Sequence, residues 1–170
     1  MWYSWKRSVA ICEVIGRQSA YAQVLTPGLS AVIVSAATMI PKVPAPTWPA
    51  FFPPGVPPED AISATGLAFR LVRTIPPVAD DFLATVKEYP DRTYEGEEFV
   101  NACATSFHTD LEASKRTRGR YKGLRTRRIA RGVLGAELGA QKPTGGRCHL
   151  SVWLFVEARP HLAFATDGEI

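Results

Sequence analysis

The stretch Cys148-His-Leu-Ser-Val-Trp-Leu-Phe-Val-Glu157 decides the fold. Read with a period of two, it puts Leu150, Val152, Leu154 and Val156 on one face and His149, Ser151, Trp153 and Phe155 on the other. Both faces are largely apolar, so the stretch is expected to be a central strand covered from both sides rather than an edge. Pro160 bounds it, and His161-Leu-Ala-Phe-Ala165 is expected to add a last short strand.

Upstream of that strand, Gly66-Leu-Ala-Phe-Arg-Leu-Val-Arg-Thr74 alternates Leu67, Phe69 and Leu71 with small or charged residues, the pattern of a half-buried strand ended by Pro76-Pro77. A helix is expected next. Pro77, Asp80 and Asp81 suit its positive end, Val78, Phe82, Leu83 and Val86 form its apolar stripe, and Pro90 stops it. The acidic run Asp91 to Glu98 has no clear period. Thr109-Asp-Leu-Glu112 has the form of a capping box ahead of a helix from about Asp110 to Arg118, with Gly119 as its stop. Arg128 to Leu134 reads as a strand and Lys142-Pro-Thr-Gly-Gly146 as a turn. These elements imply an α+β domain over residues 59–170, with a small mixed or antiparallel sheet and two or three helices.

The N-terminal third has a different texture. Nine of the 14 prolines fall between Pro27 and Pro58, and Pro41 to Pro58 reads as an extended, polyproline-II-like linker, because each proline removes a donor and extends its predecessor. Residues 1–40 form an N-terminal extension. Its apolar run, Leu29 to Ile40, is too short to cross a bilayer, which takes about 20 residues. It stands open as the apolar part of an export signal, as a short packed helix or strand, or as part of a poorly ordered tail.

Composition bounds the class: 170 residues, 46% hydrophobic and 21% charged, with a net charge of +4, describe an ordinary globular chain rather than a disordered, collagen-like or polytopic membrane protein. Three cysteines, Cys12, Cys103 and Cys148, are odd in number and far apart, which excludes a disulfide scaffold and leads to an expected cytoplasmic location.

The charge is concentrated. Residues 59–112 carry 11 acids against four bases, whereas residues 115–131 carry nine bases and no acid. The basic residues are Lys115, Arg116, Arg118, Arg120, Lys122, Arg125, Arg127, Arg128 and Arg131, with Tyr121 among them. Like charges this dense need counter-charge, either from the acidic region of the same chain or from a ligand. Seven of the nine are arginines, suited to bidentate phosphate contacts, and Tyr121 suits stacking on a base. The preferred expectation is a non-enzymatic binding module that uses residues 115–131 to contact RNA or DNA, or an acidic protein.

Constellations for chemistry are sparse. Cys103, His108, Cys148 and His149 are of the right type for zinc, but their spacing matches no standard site, and no metal is expected. The same residues match no nucleophile motif, and no glycine-rich phosphate loop or H-E-x-x-H is present. Asp80-Asp81 is explained by the start of a helix.

One order of residues carries a resemblance. Phe69-Arg70-Leu-Val on a first strand, Pro76-Pro77 with Asp81-Phe82, Thr105-Ser106-Phe107 ahead of a helix, a strand around Ile129 and Glu157 at the end of the central strand together resemble ADP-ribosyltransferase-like domains. The chain is also similar to small uncharacterised bacterial proteins sharing a strand R-x-V, a P-P-x-x-x-D-F turn and a later Ser-aromatic pair. The transferase resemblance implies NAD as cofactor, with Arg70 on its phosphates or ribose, Ser106 ordering the nicotinamide side, and Glu157 stabilising the oxocarbenium-like charge. It requires the three residues to meet in one pocket.

Overall fold

A computed structural model describes residues 45–166 of the chain. The N-terminal extension and its apolar run lie outside the described residues.

Seven strands form one antiparallel sheet: β1 (Ile62–Ser63), β2 (Gly66–Val72), β3 (Thr105–His108), β4 (Arg128–Leu134), β5 (Gly139–Pro143), β6 (His149–Leu154) and β7 (Phe164–Ala165). Their spatial order is β1-β5-β6-β3-β2-β4-β7. Three helices accompany it: α1 (Thr85–Glu88), α2 (Gly96–Ala102) and α3 (Leu111–Arg120). The fold is therefore α+β, and its sheet is antiparallel throughout.

The decisive stretch is the inner strand β6, flanked by β5 and β3. Leu150 and Val152 enter a core that also holds Ala68, Val72, Phe82, Phe107, Ala130, Leu134 and Phe164. Three phenylalanines hold its centre, Phe82 to Phe164 at 5.3 Å and Phe107 to Phe164 at 5.4 Å between ring centroids. Trp153 buries itself in a second cluster with Val56, Cys103 and Ala104, and its indole N–H donates to the Val100 carbonyl at 3.1 Å. β6 stops at Leu154, short of the expected Glu157. Beyond it, the Phe155 N–H turns to the Leu138 carbonyl and the Val156 N–H to the Thr47 carbonyl, leaving Val156 exposed.

β4 spans the expected residues, and β2 starts where expected and ends at Val72. β2 is buried on both faces from Ala68 onwards, not half-buried: Ala68 and Val72 face the main core, while Phe69 and Leu71 join Ile129 in a third cluster with Leu111 and Leu124. β3 and β5 have no counterpart in the sequence reading, which places Thr105-Ser106-Phe107 only ahead of a helix; the expected turn at Lys142-Gly146 is present but begins at Thr144, because Lys142 and Pro143 end β5.

Four further expectations are corrected. The single helix after Pro77 is broken into a 3-10 turn, Ala79–Phe82, and the short α1, because Leu83 and Ala84 are extended and the Thr85 N–H donates to the Ala104 carbonyl. Helix α3 is capped by Asp110, whose Oδ1 accepts from the Ala113 N–H at 2.8 Å; Thr109 is instead held beside β6, its N–H donating to the Cys148 carbonyl. α3 runs through Gly119 to Arg120. Within the acidic run, residues from Gly96 onwards form α2.

The described part of the proline-rich segment is not a free linker. It turns twice, Phe52 N–H to Pro49 carbonyl and Val56 N–H to Pro53 carbonyl, and packs on the domain through Phe51, Phe52 and Val56. Trp48 lies 4.2 Å from the Phe155 ring. The described prolines stand in turns and not in one extended run, and the aromatic residues between them carry enough apolar area to dock the segment. Among the described residues, no helix is long and apolar enough to cross a membrane.

Candidate functional site

The two strands at the middle of the sheet barely pair. β2 and β4 exchange a seven-residue register, but β2 meets β3 only at Phe69 opposite His108. Arg70, the next residue of β2, fills the resulting divergence. Its Nη1 donates to the Ser106 carbonyl at 2.7 Å and its Nε to the Asp81 carbonyl at 2.9 Å, replacing ladder bonds with side-chain ones. Its Nη2 pairs with Glu88 of α1 at 3.0 Å, and Arg127 closes on the other Glu88 oxygen. Burial alone would raise the Glu88 carboxyl, but the two guanidinium groups hold it below its usual range.

This ion triad stands at the wall of a cavity of about 950 Å³. Arg116, Thr117 and Arg120 reach it from α3, Tyr121 and Leu124 from the segment after it, and Gly145 to His149 from the turn between β5 and β6. Five arginines line it, Arg70, Arg116, Arg120, Arg127 and Arg147, against one carboxylate, Glu88, which the buried arginines already hold. Tyr121 is half exposed, with the Arg120 guanidinium 5.6 Å from its ring centroid. Tyr89 lines the same cavity, and its hydroxyl lies 3.4 Å from an Arg127 nitrogen.

Two imidazoles form the inner part of the site. The antiparallel register places His108 at the end of β3 opposite His149 at the start of β6, with ring centroids 5.8 Å apart and planes at 85°. His149 Nδ1 lies 3.0 Å from the Thr144 carbonyl and 2.9 Å from its hydroxyl. A carbonyl can only accept, so Nδ1 carries the proton and the lone pair is on Nε2, which has no hydrogen-bond partner among the described residues. His108 Nε2 lies 3.0 Å from the Thr117 hydroxyl, and its buried Nδ1 has no partner among the described residues. Burial and the neighbouring His149 and Arg70 push His108 down to about 4. Burial and Arg70 lower His149 as well, against the Thr144 carbonyl. Both rings are therefore neutral at pH 7.

The structure brings together part of each expected residue set. Of the basic segment, Arg116, Arg120, Tyr121 and Arg127 line the cavity. Lys115 pairs with Glu112 at the surface, Arg125 donates to the Gly119 carbonyl, and Arg128 and Arg131 are exposed on β4 away from the cavity. Lys122 and Arg118 also lie outside it. Internal neutralisation is most complete at Arg127, through Glu88, and looser at Arg116, which is 3.9 Å from Asp110.

Arg70 and Ser106 reach the cavity, but Glu157 does not join them. It is exposed in the turn after β6, where its carboxylate accepts from the Thr47 hydroxyl at 2.7 Å and the Thr47 N–H at 3.2 Å. Cys103 is buried in the Trp153 cluster, and burial raises its thiol, whereas Cys148 lines the cavity beside His149. Among the described residues, no group of three or more histidine, cysteine and carboxylate side chains is placed to hold a metal ion.

Sequence reasoning missed Arg147, Glu88 and Tyr89 as members of the site, and it weighed the two histidines only beside cysteines, as metal ligands or as partners of a nucleophile. The one signal for the pair was His149 at the start of an expected strand, since the strand carrying His108 was not foreseen. What was lacking was the β3–β6 register that sets them face to face. Compared with protein-family models, curated proteins and solved structures, the chain has no match.

Proposed function

We propose that the protein binds single-stranded nucleic acid, RNA in the first instance, in the arginine-lined cavity. The observation that carries this reading is the convergence of Arg116, Arg120 and Arg147 on one concavity whose only carboxylate among the described residues is occupied by Arg70 and Arg127. A concentration of cation without carboxylate favours a phosphate-bearing ligand, and guanidinium groups suit it in geometry as well as charge. Tyr121 and Tyr89 give the cavity aromatic faces for unstacked bases. A volume of about 950 Å³ admits one or two nucleotides of a single strand and is too small for a duplex. Lys115, Lys122, Arg125, Arg128 and Arg131 extend the positive field outside the cavity and speed encounter.

Binding of a fluorescent oligoribonucleotide, alone and annealed to its complement, at two salt concentrations tests this. Salt-sensitive binding that favours the single strand is expected. Absence of binding at low salt, or preference for the duplex, would refute the cavity as a strand site.

A further inference from the structure

The histidine pair is more than a binding wall needs. His149 has one nitrogen fixed by a carbonyl and the other carrying a free lone pair, which is the arrangement of a general base. His108 is 8% exposed yet keeps an unpartnered nitrogen, an atom that a bound hydroxyl or water would satisfy. Both rings line the cavity that gathers the arginines.

We propose that this cavity cleaves RNA, with His149 Nε2 as the base that activates the ribose 2′-hydroxyl next to the scissile phosphate. The proposal rests on the strand-binding reading above. The proton of the 2′-hydroxyl passes to His149 Nε2 and an O2′–P bond forms. The P–O5′ bond breaks, and the departing O5′ takes a proton from water in the cavity. The hydroxide left behind removes the proton from His149 and restores the neutral ring. The products are a 2′,3′-cyclic phosphate and a 5′-hydroxyl end, with no oxidant, metal or other co-reactant consumed.

Groups that line the cavity support each step. The neutral ring is the form that can accept the proton, and the Thr144 carbonyl stabilises the imidazolium produced. Arg120 and Arg147 line the same cavity as His149 and supply the cations that extra negative charge on the phosphorus oxygens requires for electrostatic stabilisation of such a transition state. Gly145, at φ 66°, adopts a conformation that favours glycine, and with Gly146 it lets the backbone approach a phosphate beside His149. His108 is a positioning residue. It stands edge-to-face against His149, is tied to α3 through Thr117, and its neutrality avoids a second cation beside the base.

The test uses the full chain with a 5′-labelled oligoribonucleotide and the same strand carrying 2′-O-methyl groups. Expected are cleavage of the first to 2′,3′-cyclic phosphate ends and binding without cleavage of the second. His149→Ala and His149→Gln, prepared identically, should cleave at least about 100-fold more slowly and still bind, the usual contribution of a general base. His108→Asn should shift the pH profile of cleavage, which a merely structural role would not do. A wild-type chain that binds the ribo strand but leaves it intact, or His149 variants that cut at the wild-type rate, would overturn the proposal and leave strand binding standing. A chain that binds neither strand would overturn both.

Discussion

Arg70 of β2 and Glu88 of α1 meet at 3.0 Å with side chains only 5% and 4% exposed, and Arg127 closes on the same carboxylate from the start of β4. One buried anion thus holds two cations and ties together the β2–β3 divergence, α1 and the end of the basic segment. Glu88→Gln keeps the shape but leaves two buried guanidinium groups sharing no charge. A loss of about 3–5 kcal/mol is expected, read by denaturant unfolding. A loss below about 1 kcal/mol would mean that water already neutralises the triad.

Asp81 anchors the broken helix. Its carboxylate accepts from the Arg73 N–H at 2.7 Å, the Val78 N–H at 3.2 Å and the Thr74 hydroxyl, and these bonds hold it below its usual range despite burial. Asp81→Asn should cost about 2 kcal/mol, since hydrogen bonds to a charged acceptor are the stronger kind. Comparison of urea midpoints at unchanged slope checks it.

That aspartate also marks the limit of what the sequence disclosed. The alternation of Leu150 and Val152 against Trp153 revealed an inner strand, and Arg128 to Leu134 revealed its length, because burial on a pleated sheet leaves a local period. The helix after Pro77 ended at Phe82 because Leu83 and Ala84 are extended and the Thr85 N–H goes to the Ala104 carbonyl, and Asp81 accepts from Arg73 and Thr74 besides Val78, tertiary uses that a local pattern cannot reveal. β3 was hidden because Thr105-Ser106-Phe107-His108 is four residues long with Phe107 its one apolar member, too little for a period to show. Its burial comes from neighbours distant in sequence. The site shared this fate: the arginines were visible as a run, but the assembly of Arg120, Arg147 and His149 around one cavity depends on the β3–β6 register and the turn at Gly145.

Acid should weaken the fold in a defined window. His108 sits at about 4 when folded against an ordinary 6.5, lowered by burial and by the facing His149 and Arg70, with Asp110 opposing. The unfolded chain therefore takes up the proton first. The stabilisation is complete above pH 6.5 and falls as the pH drops towards 4. Unfolding free energies across that window should decline with acid, and His108→Asn should flatten the decline. An unchanged slope in the variant would place the titration elsewhere.

Gly139, at φ 143°, lies so close to the Trp153 carbonyl that a Cβ would collide with the backbone. Gly139→Ala should destabilise by about 2 kcal/mol or more, from strain and displacement of β5 from β6 together. A thermal midpoint equal to that of the wild type would contradict this placement.

Two triple variants separate binding of ligand in the cavity from binding along the whole basic segment. One changes Arg116, Arg120 and Arg147 to Ala, the other Arg125, Arg128 and Arg131. The salt dependence of single-stranded RNA binding is measured for each. The cavity variant should lose most of its affinity and reduce the logarithmic salt slope by about 2, as expected for three lost contacts to a single strand, while the outer variant binds nearly as the wild type does. Loss of binding in the outer variant, with the cavity variant unaffected, would place the strand on the outer basic residues and not in the cavity.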